Sequence, residues 1–133
     1  MLASACHCTG CQRMSGSAFS LTLTVPAQAF EVTKGEAVLG GAKGPIAHHH
    51  HCPECLSWVY TTAEGMEDQF VNVRATMLDD ARGFEPYLEV WTSEKLPWVT
   101  TPAEVSFERE PDFSQYGRFL ADYAAWRAAR AGG

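Results

Sequence analysis

The amino-acid sequence predicts a mainly β domain of short, mostly antiparallel strands with one C-terminal helix. Three observations carry this. Phe19, Leu21, Leu23 and Val25 alternate with Ser20, Thr22 and Thr24, the period of two expected of a half-buried strand, and Pro26 ends the run. Three later segments, 57–62, 69–75 and 87–92, carry β-branched and aromatic residues in roughly alternating order. Beyond residue 112 the period lengthens, with Phe113, Tyr116, Phe119, Leu120, Tyr123 and Trp126 recurring at the spacing of an amphipathic helix.

The remaining elements fall between these. Residues 1–16 hold Cys6, His7, Cys8 and Cys11 among Gly and Ser and read as a loop or metal knuckle. Short β-like pieces follow at 30–33 and 37–39, parted by Gly35 and closed by Gly40 and Gly41. A turn-rich connection, 42–45, leads into His48, His49, His50 and His51 and then Cys52-Pro53-Glu54-Cys55. Pro97, Pro102 and Pro111 divide the next segment into extended pieces and turns, because proline blocks helix interiors and central strands. The helix is expected over about 112–130, with a frayed end. There is no internal repeat, so seven or so strands and one helix form a single domain over 1–133.

Composition narrows the function classes. A chain of 133 residues fits one hydrophobic core, and 11% aromatic with 20% charged residues argues against disorder. Ten basic against sixteen acidic residues give a formal charge of −6. That leaves no electrostatic footprint for sequence-independent nucleic-acid binding. The longest uncharged stretch, 14–30, is rich in Ser and Thr and contains Pro26, so no membrane span is expected. The first five residues lack the basic and apolar regions of a signal peptide. Five cysteines cannot all pair as intramolecular disulfides, and their spacings are those of metal ligands, which points to a reducing cytoplasm. No Gly-rich phosphate loop and no Gly-x-Ser-x-Gly elbow is present.

The dominant chemical signal is Cys6-His7-Cys8-Thr9-Gly10-Cys11, with a second C-x-x-C at Cys52 and Cys55. A two-residue gap lets two thiolates converge on one ion while the intervening amides point at the sulfurs. Two arrangements are open. Four cysteines drawn from both clusters would make a closed structural zinc site, whereas Cys6, Cys8 and Cys11 alone would make a three-thiolate site with a free fourth position.

The stretch C-H-C-x-x-C-x-x-x-x-G-S-A-F over residues 6–19, with Pro26, Phe30, the Cys52-Pro53-Glu54-Cys55 turn and Trp98 among prolines, resembles the glutathione-dependent formaldehyde-activating enzyme family. That family shares its domain with centromere protein V. The resemblance covers about residues 5–112. It implies a small zinc-associated antiparallel β-tent and a carbon–sulfur lyase of the S-(hydroxymethyl)glutathione synthase type, joining glutathione to formaldehyde or reversing that addition. It implies a catalytic zinc on Cys6, Cys8 and Cys11. It further implies a structural zinc on Cys52, Cys55 and an earlier C-x-C pair that has no counterpart here. The expectation is therefore an N-terminally shortened member without its first strand, whether by truncation or by loss of the structural zinc, and with an exposed edge that invites a homodimer.

Other residues carry smaller expectations. On a strand, His49 and His51 would share one face and His48 and His50 the other, either as replacement ligands or as a solvated polar strand. Arg13, Lys43, Arg74 and Lys95 are candidate contacts for an acidic thiol, or surface charges. Ser15-Gly16-Ser17 would bind a carboxylate or simply turn the chain. Trp91 and Trp98 would wall a pocket or fill the core, and His7 lies close enough to donate a proton unless it points outward. The competing function is a non-enzymatic zinc-stabilised binding module that has kept its metal as a scaffold.

Overall fold

A computed structural model of the chain describes residues 1–42 and 44–132. Lys43 lies outside them. Ten elements follow in order: β1 (Leu2–Cys6), α1 (Thr9–Ser15), β2 (Ser20–Pro26), β3 (Val38–Gly40), β4 (Ala47–His51), β5 (Trp58–Ala63), β6 (Phe70–Arg74), β7 (Leu88–Val90), β8 (Val105–Ser106) and α2 (Tyr116–Ala131). The strands form one sheet in the order β3-β4-β5-β6-β2-β1-β7-β8.

The alternating segment is β2, which pairs antiparallel with β1 on one side and β6 on the other. The sheet is mostly antiparallel but mixed, because β7 runs parallel to both β1 and β8. All three residues of β7 are buried, as for a parallel strand covered on both faces. The loop expected over 1–16 is corrected. Leu2–Cys6 is a strand inside the sheet and Thr9–Ser15 is a helix. The sheet edges among the described residues are β3 and β8, so no open edge lies beside β1. The β-like piece at 30–33 is not a strand. A 3-10 turn at Ala27–Ala29 takes the chain off the end of β2, and residues 31–36 are exposed.

The core lies between α2 and the β1–β7 region: Leu2, Ala3, Tyr87, Leu88 and Val90 meet Phe119 and Tyr123, with Tyr116 and Trp126 packed at the margin. The predicted apolar stripe therefore does bury itself, apart from Phe113 and Leu120, which remain exposed. The helix starts at Tyr116 rather than 112, because the Asp112 carboxylate accepts the Ser114 N–H at 2.8 Å and caps a separate 3-10 turn, Phe113–Gln115. It continues to Ala131, tied near its end by Arg130 to Glu85 at 3.0 Å. Cys6 packs against this same cluster, so the core fixes the end of β1 where the cysteines begin.

Phe119 is the largest fully buried side chain. Phe119→Ala is expected to lower the unfolding free energy by about 3–5 kcal/mol, read from urea denaturation, while leaving metal stoichiometry unchanged.

Candidate metal centre

Cys6 ends β1, Cys8 caps the N-terminus of α1 and Cys11 sits in its first turn. The strand-to-helix turn folds the three thiols onto one point, with all three sulfurs within 4.8 Å of one another. Tetrahedral zinc with Zn–S of about 2.3 Å sets sulfurs about 3.8 Å apart, so the donor set fits a thiophilic ion with little adjustment. The Cys11 N–H donates to Cys8 Sγ at 3.3 Å, the amide-to-sulfur support expected of such turns.

The residue between the first two cysteines anchors them. His7 is fully buried, and its Nε2 meets Glu89 Oε2 of β7 at 2.8 Å. Thr101 and Ser106 each donate to Glu89 at 2.7 Å, and Lys95 Nζ lies 3.3 Å from both its oxygens. Burial opposes ionisation of Glu89, but the hydrogen bonds from Ser106, Thr101, His7 and Lys95 outweigh it and hold the carboxylate down to about 2. That carboxylate keeps the His7 proton on Nε2. His7 thus points inward, neither outward nor toward the sulfurs as a proton donor.

A second set of contacts seats α1. Gln12 Nε2 donates to the His7 carbonyl at 2.8 Å and to the Glu94 carbonyl at 3.0 Å. The Thr9 N–H donates to Glu94 Oε1 at 3.0 Å, and the Thr9 hydroxyl donates to the same oxygen. This places a carboxylate at the positive end of α1. Glu94 arrives there because Trp91, at φ 58°, turns the chain out of β7 in a left-handed conformation. Glu89, Glu94 and Gln12 had no part in the sequence expectations. A carboxylate between Leu88 and Val90 in an otherwise apolar strand was the readable signal for Glu89.

The thiols share charge unequally. Donation from Cys11 and Cys6, with backbone N–H groups of Cys11 and Gly10, pulls Cys8 down to about 2 despite burial. Cys6 is raised because it donates to Cys11 and Cys8 and is buried. For Cys11 the Cys6 thiol favours the thiolate, but Cys8 and burial outweigh it and the net shift is upward. Of the three, Cys8 is the thiol whose surroundings favour the thiolate, and a divalent cation would have to displace protons held by Cys6 and Cys11.

The remaining predicted residues separate. Cys52 is half-buried and Cys55 exposed, in a turn closed by Cys52 N–H to the Ser57 carbonyl and Leu56 N–H to the Cys52 carbonyl, both 2.9 Å. Among the described residues neither joins a group of three donors, so these residues do not by themselves complete a second metal site. The histidines form β4 and face β5 across the sheet. His49 Nδ1 lies 2.9 Å from the Thr61 hydroxyl, His50 Nε2 lies 3.1 Å from that of Thr62, and His50 stacks on Tyr60 with centroids 4.3 Å apart. They are half-buried partners of β5 rather than a solvated strand. Ser15-Gly16-Ser17 turns the chain, with Gly16 at φ 60° capping α1. Lys95 serves Glu89 and Arg13 is exposed. Trp98 is 76% exposed and Trp91 packs against the core. Arg74 is buried, with its guanidinium carbon 3.9 Å from the Trp58 ring centroid.

A small mixed β-sheet that delivers three thiols to one point through a strand-to-helix turn defines a thiol-ligand metal-site domain. The chain belongs to the glutathione-dependent formaldehyde-activating enzyme family, whose sequence profile matches residues 1–94. No curated protein matches it. Among the described residues no helix is long and apolar enough to cross a membrane.

Zinc uptake near pH 7 is expected to release about two protons per ion, measured by calorimetry in buffers of different ionisation enthalpy. Release of three would show that Cys8 is also protonated beforehand. Glu89→Gln is expected to cost about 2–3 kcal/mol in urea denaturation. Because its folded pKa is depressed, the stabilisation from Glu89 is complete above its ordinary 4.5 and lost as pH falls through about 2. The variant should flatten that acid limb.

Proposed function

We propose that the chain is a zinc-dependent carbon–sulfur lyase that joins a thiol of the glutathione kind to an aldehyde such as formaldehyde, or reverses the addition. The observation that carries this reading is a half-buried three-thiol cluster with no fourth side-chain donor beside it among the described residues. Such a site is open, as catalytic zinc sites are. Family membership supports the thiol and aldehyde as substrates.

Cys6, Cys8 and Cys11 are the ligands in this reading. Bound zinc supplies a Lewis acid at which an incoming thiol loses its proton at neutral pH. The chain's own residues keep the site open and rigid: His7 and Glu89 fix the turn, and Gln12, Thr9 and Glu94 fix the helix that carries Cys11. The thiol sulfur attacks the aldehyde carbon. A carbon–sulfur bond forms, the carbonyl π pair moves to oxygen, and a proton from solvent replaces the one the thiol gave up, leaving a hydroxymethyl thioether. His7 takes no part in that transfer, because it is buried and engaged by Glu89.

The competing reading of a zinc-stabilised interaction module is favoured by the incomplete second ligand set, in which Cys52 and Cys55 have no third donor beside them among the described residues. Cys8→Ser separates the two. The lyase reading expects condensation above the uncatalysed rate to disappear while cooperative unfolding survives, followed by 13C NMR of formaldehyde with glutathione. Loss of cooperative unfolding in that variant would mark a scaffold. Metal analysis of the purified chain is expected to give one zinc per chain rather than two.

A further inference from the structure

Cys6 of β1 pairs with Ser20 of β2, and Thr22, two residues along, pairs with Arg74 of β6. Paired residues share a face of the sheet, so Cys6, Ser20, Thr22 and Arg74 make one row across three strands. Burial works against the charge of Arg74, and it lies near enough to Cys11 and Cys6 that negative charge on either sulfur favours it. It is 7% exposed.

A guanidinium in such a place ordinarily has carboxylate or carbonyl acceptors, because a buried charge without them loses its hydration uncompensated. Among the described residues Arg74 makes no ion pair, and its Nε is enclosed without any acceptor. The Ser20 hydroxyl is also buried, within reach of the Cys11 thiol. Both residues line a cavity of about 350 Å³ whose apolar walls include Trp58 and Phe19. The cavity therefore presents a buried cation whose Nε has no acceptor, and Trp58 holds that cation in place by stacking against it.

We propose that this cavity is an anion subsite in which Arg74 holds a carboxylate of the thiol whose sulfur lies at Cys6, Cys8 and Cys11. The inference rests on the lyase reading and adds to it which thiols the site selects. A cation acting only as counter-charge to the cluster would favour every thiolate alike. A planar fork with free N–H donors selects a carboxylate, which accepts two of them in parallel.

The test uses cobalt-substituted protein titrated with 3-mercaptopropionate and with 3-mercapto-1-propanol, which carry a carboxylate and a hydroxyl on the same three-carbon chain. Binding is read from the sulfur-to-cobalt charge-transfer band. The native chain is expected to bind 3-mercaptopropionate at least about tenfold more tightly, and Arg74→Gln to bring the two affinities together. Arg74→Lys, which keeps the charge but not the fork, is expected to retain part of the preference, and it decides the matter if Arg74→Gln does not fold. Equal affinities in the native chain, an undiminished preference in Arg74→Lys, or a loss in Arg74→Gln that is the same for both thiols would overturn the subsite and leave the lyase reading standing. A band that no thiol perturbs would overturn both.

Discussion

The buried contact between His7 and Glu89 is the constraint on which the cysteine site depends. His7 is the residue between two of the three thiols, and Glu89 is the middle residue of a three-residue buried strand that lies between β1 and β8. Because β7 runs parallel to β1, it brings Glu89 beside Ala5, two residues before His7, and the His7 N–H donates to the Val90 carbonyl at 3.1 Å. Side chain and backbone of His7 are both held, so Cys6 and Cys8 leave it at fixed angles. Thr101, Ser106 and Lys95 satisfy the carboxylate's other acceptor positions, which makes a buried ion tolerable.

The same arrangement explains the uneven electrostatics. Three thiols at one point cannot all ionise without a cation, and the one that does is Cys8, at the helix N-terminus where backbone N–H groups face its sulfur. A divalent ion with three thiolates carries a net charge of −1, and Arg74 is the buried cation that faces it from β6. Its neighbour His49 is pushed below the ordinary histidine value by burial and then by Arg74 itself, so it adds no second positive charge there at neutral pH. The centre is built on strand ends and one short helix rather than on a free loop, which suits a site that must stay open without collapsing.

The sequence made the local features legible and left the long-range ones out. The alternation of Phe19 to Val25 reports a strand directly, as the helical spacing of Phe119 and Tyr123 reports a helix, because both patterns depend on near neighbours. The three clustered cysteines needed only their spacing. Strand direction is different: nothing in Leu88-Glu89-Val90 says that it lies parallel to β1, since that follows from a crossover of some eighty residues. β1 itself was hidden because Cys6 and its small neighbours Ala3, Ser4 and Ala5 resemble a loop in composition, although Ala3 and Ala5 are completely buried. Arg74 could be named as a contact for an acidic ligand, but only the fold shows that it lacks acceptors. Cys52 and Cys55 read as metal ligands from spacing alone, and the structure gives them no third donor among the described residues.

The central claim is an open three-sulfur metal site. X-ray absorption at the zinc edge of the loaded protein tests it most directly. The account predicts three sulfur neighbours at about 2.3 Å and one lighter donor, with the lighter donor replaced by a fourth sulfur when glutathione is added. Four sulfurs before any thiol is added would contradict it.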